Sequence, residues 1–234
     1  MPYQHVIFDF DGVVCDSLTA AIHTYNRLRQ ELFPFLPPVS SQSDMEVVYA
    51  GSLRTCLHRW LSEEEAKHFF DLHSAGMAAI APTLPVFPGV AEIFRKLGNR
   101  SSSIVTSAYS DAVLTVLARD PSFASGYLYK VAGRELVQTK TEKIKSILSS
   151  LGLGCGDAVY VGDLESDILY CRAVPIDIVA VGYGYHSSGY LRSQKPTYLV
   201  DSVGELHDLL CCLCGRTGGP VHGTSKSSMH LTLH

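Results

Sequence analysis

The stretch Val6-Ile7-Phe8-Asp9-Phe10-Asp11-Gly12-Val13-Val14-Cys15-Asp16-Ser17 constrains this chain more than any other. The apolar run from Val6 to Phe8 reads as a buried strand. It ends on two carboxylates two residues apart, with a glycine directly after. In extended backbone, positions i and i+2 point to the same side, so Asp9 and Asp11 face one small volume. Gly12 lets the backbone bend close to a ligand. The C-terminal ends of strands are where open α/β sheets bind ligands. Paired carboxylates repel unless a cation or a shared proton relieves them. A hard divalent cation such as Mg²⁺ suits them, since it takes oxygen ligands from one or two carboxylates and a substrate phosphate.

The rest of the chain divides by its periodicity. Leu18, Ala21, Ile22, Tyr25, Leu28 and Leu32 recur at helical spacing over 16–33, and the proline-rich stretch from Pro34 to Pro38 ends that helix. Further helices are predicted over 44–60 and 63–80, the second opened by a capping box of Ser62 and Glu65. No strand pattern occurs between Cys15 and Leu84, so an all-helical insert follows the first strand directly. Pro82, Pro85 and Pro88 mark a hinge-like return. From there strands are predicted over 103–105, 127–131, 158–161 and 177–181, alternating with helices over 88–97, 111–119, 139–151, 164–173 and 203–210. Alternation of this kind predicts an α/β fold, a parallel sheet covered by helices on both faces. Residues from about 215 are rich in Gly, Ser and Thr and read as a flexible tail.

Polar residues fall at four places where an apolar core would not choose them. They are Asp9 with Asp11, Thr106 with Ser107, Lys140, and Asp163 with Asp167. Strand ends in a parallel sheet share one edge, so these groups can converge there. Carboxylates would hold a metal, while a hydroxyl, backbone N–H groups and an ammonium would hold phosphate oxygens. Each also has a plainer role available. Thr106-Ser107 can cap a helix, Lys140 can lie on a solvated helix face, Asp163 can be a turn residue, and Asp167 can answer a helix dipole.

The first stretch resembles motif one of the haloacid-dehalogenase-like (HAD) phosphohydrolases, Asp-x-Asp-Gly-x-x-x-Asp-Ser. The order of the others matches that family. Ile104-Val105-Thr106-Ser107 resembles motif two, Lys140 motif three, and Val161-Gly162-Asp163-Leu164-Glu165-Ser166-Asp167 motif four in its Gly-Asp-x-x-x-Asp form. Lys143 and Lys145 compete with Lys140, which is preferred because it starts its helix and stands twelve residues before Gly152. Three positions depart from the usual pattern: Thr141 replaces a proline, Ser107 is often Asn, and Ala173-Val174 replaces Ala-Gly.

The resemblance covers residues 4–210 and implies a Rossmann-like core of 1–15 and 85–214 with a helical cap of 16–84. It implies that Asp9 attacks phosphorus to give an aspartyl-phosphate and that Asp11 serves as acid and then base. Mg²⁺ would be held by Asp9, Asp163 and the Asp11 carbonyl, with Asp167 holding a metal-bound water or orienting Lys140. Thr106, Ser107 and Lys140 would bind the phosphoryl group. In the cap, Ala50-Gly51-Ser52-Leu53-Arg54 resembles the substrate-contacting loop, with Arg54 able to bind a carboxylate or second phosphate. Asp11 argues against a dehalogenase. Lys67, the single lysine between 15 and 84, lies on a Glu-rich segment and argues against a phosphonatase. The form of motif four argues against a sugar-phosphate mutase. Val181-Gly182-Tyr183-Gly184-Tyr185, with Leu191 and 196–200, resembles phosphoglycolate-phosphatase-like members. The expected activity is therefore Mg²⁺-dependent hydrolysis of a small phosphorylated metabolite. The alternatives are a sugar-phosphate mutase or phosphonatase on the same fold, or a non-catalytic binding protein of that fold.

Composition narrows partners. The net charge of -4 gives no basis for binding nucleic acid or an anionic membrane, and no apolar run reaches the ~18 residues of a membrane span. The chain runs straight into its first strand, so no leader is expected. Seven cysteines without an even framework suggest reduced thiols in the cytoplasm. Cys211, Cys212 and Cys214 read as a helix end. A monomer or homodimer is expected.

Overall fold

A computed structural model describes residues 2–50, 52–123 and 125–215. Six parallel strands form one sheet in the order β3-β2-β1-β4-β5-β6. They are β1 His5–Phe8, β2 Ser102–Val105, β3 Leu128–Ala132, β4 Ala158–Gly162, β5 Asp177–Val181 and β6 Tyr198–Val200. The chain leaves β1 for β2 and β3 on one side, then returns to β4 on the other. β1 and β4 thus flank the point where the winding reverses, and a crevice opens there at the strand ends. Phe8 pairs with Ile104 on one side and Val161 on the other, so Asp9, Thr106 and the 162–163 turn leave the sheet at nearly one level.

Alternation along the strands builds the two faces. Val6, Phe8, Ile104, Val159, Val161 and Val179 pack against helices α5 (Val90–Leu97), α6 (Ser110–Leu117) and α10 (Val203–Leu213). Ile7, Val105, Tyr160, Ile178 and Ala180 pack against α7 (Lys140–Leu151) and α8 (Glu165–Ala173). Strands β1 and β4, at the centre of the sheet, are buried throughout, which is why these two segments read as unbroken apolar runs.

The segment between β1 and β2 opens with four helices: α1 Leu18–Leu32, α2 Gln42–Val48, α3 Leu53–Leu57 and α4 Glu63–Ile80. They share a separate apolar cluster that includes Tyr25, Met45, Leu57 and Phe69. The predicted helix over 44–60 is two helices. Ser41 and Asp44 form a capping box that starts α2 at Gln42, and the Ser52 hydroxyl accepts from the Thr55 N–H to start α3 afresh. Gly51, between them, lies outside the described residues. The box of Ser62 and Glu65 opens α4 as expected. Two elements carried no usable period. Helix α9 (Ser188–Ser193) is six residues capped by Ser187, and β6 is three residues at a sheet edge. Helix α10 runs to Leu213, so Cys211 and Cys212 belong to its last turn. The predicted tail falls, from 216 onward, outside the described residues.

Three buried histidines give the fold a pH dependence. Burial pushes His5, His73 and His186 down to about 4 from an ordinary 6.5. Between those values each of these histidines is protonated in the unfolded chain and neutral in the folded one, so its contribution to stability is full above 6.5 and falls as pH drops through the window, while the raised buried carboxyls act in the opposite sense. His5 contacts the Ser103 hydroxyl at 2.9 Å. Removing one histidine contribution in His5→Asn should make its thermal midpoint gain on that of the wild type as pH falls from about 7 to 4.5; parallel profiles for the two proteins contradict this.

Candidate active site

Asp9 leaves the end of β1 with its N–H bonded to the Val161 carbonyl at 2.8 Å, which fixes its backbone to β4. Its Oδ1 accepts from the Phe10 N–H at 2.7 Å. The next residues close a tight loop in which the Val14 and Cys15 N–H groups both reach the Phe10 carbonyl at 2.9 Å. Gly12 turns that loop with φ of 76°, and a Cβ there would stand 2.0 Å from Asp163 Oδ2. Only glycine satisfies both demands.

Asp163 follows Gly162 at the end of β4 and is fully buried. Its Oδ2 accepts from the Tyr185 N–H at 2.7 Å, while Oδ1 is buried without a partner among the described residues. Asp167 sits in the first turn of α8, where Oδ2 accepts from the Leu164 N–H at 3.2 Å. Gly162 has no side chain for a physical reason: a Cβ there would lie 2.6 Å from that of Asp167. Carboxylate oxygens of Asp9, Asp163 and Asp167 all lie within 4.8 Å of one another.

One ammonium answers these charges. The Thr139 hydroxyl and Glu142 form the capping box that starts α7 at Lys140. Lys140 Nζ then reaches Asp9 Oδ2 at 2.5 Å and Asp167 Oδ1 at 2.9 Å. Burial disfavours its charge, but Asp167 and Asp9 more than offset this and hold it protonated. Its two competitors lie elsewhere. Lys143 Nζ donates to the Thr106 carbonyl at 3.1 Å from behind, and Lys145 is exposed.

Burial pushes the carboxyls of Asp9 and Asp163 up, repulsion from Asp167 adds to this, and Lys140 pulls them down. With one ammonium among them, the three buried acids cannot all ionise without leaving two negative charges uncompensated. All the donors are hard oxygens, and one of them has nothing to bond. These residues fit a divalent cation of the Mg²⁺ type.

Asp11 stands apart from that cluster, on the wall of a cavity of about 230 Å³ that also touches Asp9, Thr106, Ser107, Lys140 and Arg54. Burial raises its carboxyl, and a hydrogen bond with Ser17 partly opposes this. Thr106 is buried after β2, its N–H on the Ala132 carbonyl at 3.1 Å and its hydroxyl accepting from the Ala108 N–H at 3.0 Å. Ser107 is exposed. Arg54 lies at the rim, 46% exposed, with Glu63 at 3.8 Å. The structure thus brings Asp9, Asp163, Asp167 and Lys140 together, sets Asp11, Thr106 and Ser107 beside them, and leaves Arg54 at the edge.

Sequence reasoning missed Tyr185 and Gly184 as parts of this site. Tyr185 orients Asp163 through its N–H and meets the Ser17 hydroxyl through its own at 2.9 Å. Gly184 makes room, since a Cβ there would lie 2.4 Å from Asp163 Oδ2. The alternating glycines of Gly182-Tyr183-Gly184 were the available signal: a strand end that twice gives up its side chain approaches something closely.

The family model described as haloacid dehalogenase-like hydrolase matches residues 6–181. The chain belongs to that family. It is 25% identical over 205 residues to the phosphoglycolate phosphatase of Synechococcus elongatus, covering 87% of this chain and 95% of that one. It is 28% identical over 129 residues to a 5'-nucleotidase of Pseudomonas aeruginosa, covering 53% and 58%. A crystal structure described as a predicted phosphatase from Clostridium acetobutylicum superposes with a TM-score of 0.75 at 22% identity, over 91% of this chain and all of that one. These matches agree with the parallel sheet and its inserted helices. As a member of the family the chain is a hydrolase, and the curated relatives named here hydrolyse phosphate esters by their names.

Gly12→Ala should lower stability by about 2 kcal/mol or more, because the methyl group enters the space of Asp163 and the φ is strained. Hydrolytic turnover should fall at least about a hundredfold with it. Unchanged melting and turnover would contradict the close approach of Gly12 to Asp163.

Proposed function

We propose that this hydrolase is a Mg²⁺-dependent phosphatase acting on a small phosphorylated metabolite through an aspartyl-phosphate. One observation carries the reading: Asp9 Oδ2 sits 2.5 Å from Lys140 Nζ, in a cavity shared with Asp11 and Thr106. Lys140 pulls the Asp9 carboxyl back toward its ionised, nucleophilic form against the effect of burial. Asp9 attacks phosphorus, the bond from phosphorus to the ester oxygen breaks, and Asp11 gives its proton to the departing oxygen. Burial of Asp11 supports that role, since it keeps the acid protonated to higher pH. Asp11 then takes a proton from water as that water displaces the phosphoryl group from Asp9, which restores both residues. Thr106 and Lys140 stabilise charge on the transferring oxygens, as sites of this class work largely by position and electrostatics. Bound between Asp9 and Asp163, Mg²⁺ would neutralise their charge and that of the phosphate.

In this reading the inserted segment 16–84 serves as a cap that excludes water from the site. The free cysteines among the described residues support a reducing, cytoplasmic setting. The name of the Synechococcus relative makes phosphoglycolate the first metabolite to assay.

Phosphate release should require Mg²⁺ and stop on chelation. Asp9→Asn should lower it at least about a thousandfold with an unchanged circular dichroism spectrum. Turnover near wild type in Asp9→Asn contradicts the nucleophile, and release unaffected by chelation contradicts the metal requirement.

A further inference from the structure

The cavity beyond Asp9 has two chemically different ends. At the inner end are Asp9, Asp11, Thr106 and Lys140. Its far wall is built from one face of α4 and the turn after it, Phe70, Met77, Ala78 and Ala81 at helical spacing, and from Ala112 and Val116 of α6. These are the residues an ester's alcohol portion would meet once its phosphoryl group lies against Asp9.

The cations near this wall are occupied or remote. Lys140 is held by Asp9 and Asp167. Arg134 turns its guanidinium to Ser74 and Asp71 and stacks on the Phe70 ring at 4.5 Å. His73, the imidazole in the wall, is buried between the Tyr49 hydroxyl and the Ala21 carbonyl, each at 3.4 Å, and burial keeps it neutral. Arg54 is at the solvent rim beside Glu63. An anion carried on the alcohol would therefore lose water against the methyl and thioether groups of that wall with, among the described residues, no buried cation free to meet it, and that desolvation outweighs the packing it would make. An uncharged, mostly apolar group is favoured there, because the part of it that lies against Phe70, Met77, Ala78, Ala81, Ala112 and Val116 leaves water for apolar surface, Ser74 being the small polar residue on the same face.

We propose that the preferred substrates are phosphate monoesters of uncharged, mostly apolar alcohols of single-ring size, not esters whose leaving group is itself anionic. Size agrees with this. An apolar cavity of roughly 150 Å³ takes a benzene molecule, so about 230 Å³ accommodates a phosphoryl group and one ring together. The inference rests on the phosphatase reading of the same site and adds to it the chemistry of the leaving group.

The test compares benzyl phosphate with phosphoglycolate on the full chain in Mg²⁺. Both release alkoxide-type oxygens of similar intrinsic reactivity, so the ratio reports recognition and not leaving-group ability. The expected kcat/KM is at least about tenfold higher for benzyl phosphate. Calorimetry on the same protein then measures the non-hydrolysable counterparts, phenylethylphosphonate and phosphonopropionate, and the first should bind more tightly by about the same factor. Equal or higher kcat/KM for phosphoglycolate, or tighter binding of phosphonopropionate, overturns the inference and leaves the phosphatase reading in place. Hydrolysis of neither ester, with phenylethylphosphonate still bound more tightly, removes the phosphatase reading and supports the preference of the pocket.

Discussion

The structure is arranged around a concentration of buried negative charge. Asp9, Asp163 and Asp167 put carboxylate oxygens within 4.8 Å of one another with a single lysine between them. Burying charge is costly unless it is paired, and here the pairing is incomplete. Much of the surrounding geometry follows from that. Asp9 and Asp163 meet because β1 and β4 are neighbours at the reversal of the winding. Lys140 and Asp167 meet them because α7 and α8 begin at the same sheet edge. Glycines at 12, 162 and 184 are the residues whose missing side chains let the acids come together.

The loop that orients Asp163 also anchors the inserted helices. Tyr185 gives Asp163 its hydrogen bond. Gln42, at the start of α2, donates to the Gly184 carbonyl at 2.9 Å, and Glu46 of α2 accepts from the Ser187 N–H at 3.1 Å. The Tyr185 ring joins the helical cluster, edge-on to Tyr49 at 5.6 Å. A displacement of the helices would therefore be felt at Asp163. Helix α4 also supplies part of the apolar wall of the cavity.

Most of the parallel sheet and the acid cluster were legible in the sequence. Five strands carried enough apolar residues to register, and β1 runs directly into Asp9 and Asp11, both of which line the cavity. Lys140 was legible because it starts its helix and stands twelve residues before Gly152, and the structure adds the capping box of Thr139 and Glu142 that begins the helix there. What escaped was short or depended on distant segments meeting in space. β6 has three residues and α9 six, below the length at which a period can be counted. The break between α2 and α3 was hidden because the apolar period continues across it while Ser52 restarts the backbone. The part played by Gly184 depends on where Asp163 lies in space, which no local pattern carries. Arg54 showed its charge in the sequence, but its place at the solvent rim, away from the apolar depth, is set by tertiary packing alone.

The claim tested most directly is that this cluster is built to hold a divalent cation, with the unpartnered Oδ1 of Asp163 as the sign of it. The measurement is the thermal unfolding of the wild-type chain and of Asp163→Asn, each with and without Mg²⁺. Ligand that binds only the folded state stabilises by roughly 2.7 kcal/mol at a hundred times its Kd. The wild type should therefore gain several degrees in Mg²⁺ and the variant little or nothing. Without Mg²⁺ the variant should be at least as stable as the wild type, because one buried charge has been removed. An equal Mg²⁺ shift in both proteins, or none in the wild type, would contradict the account.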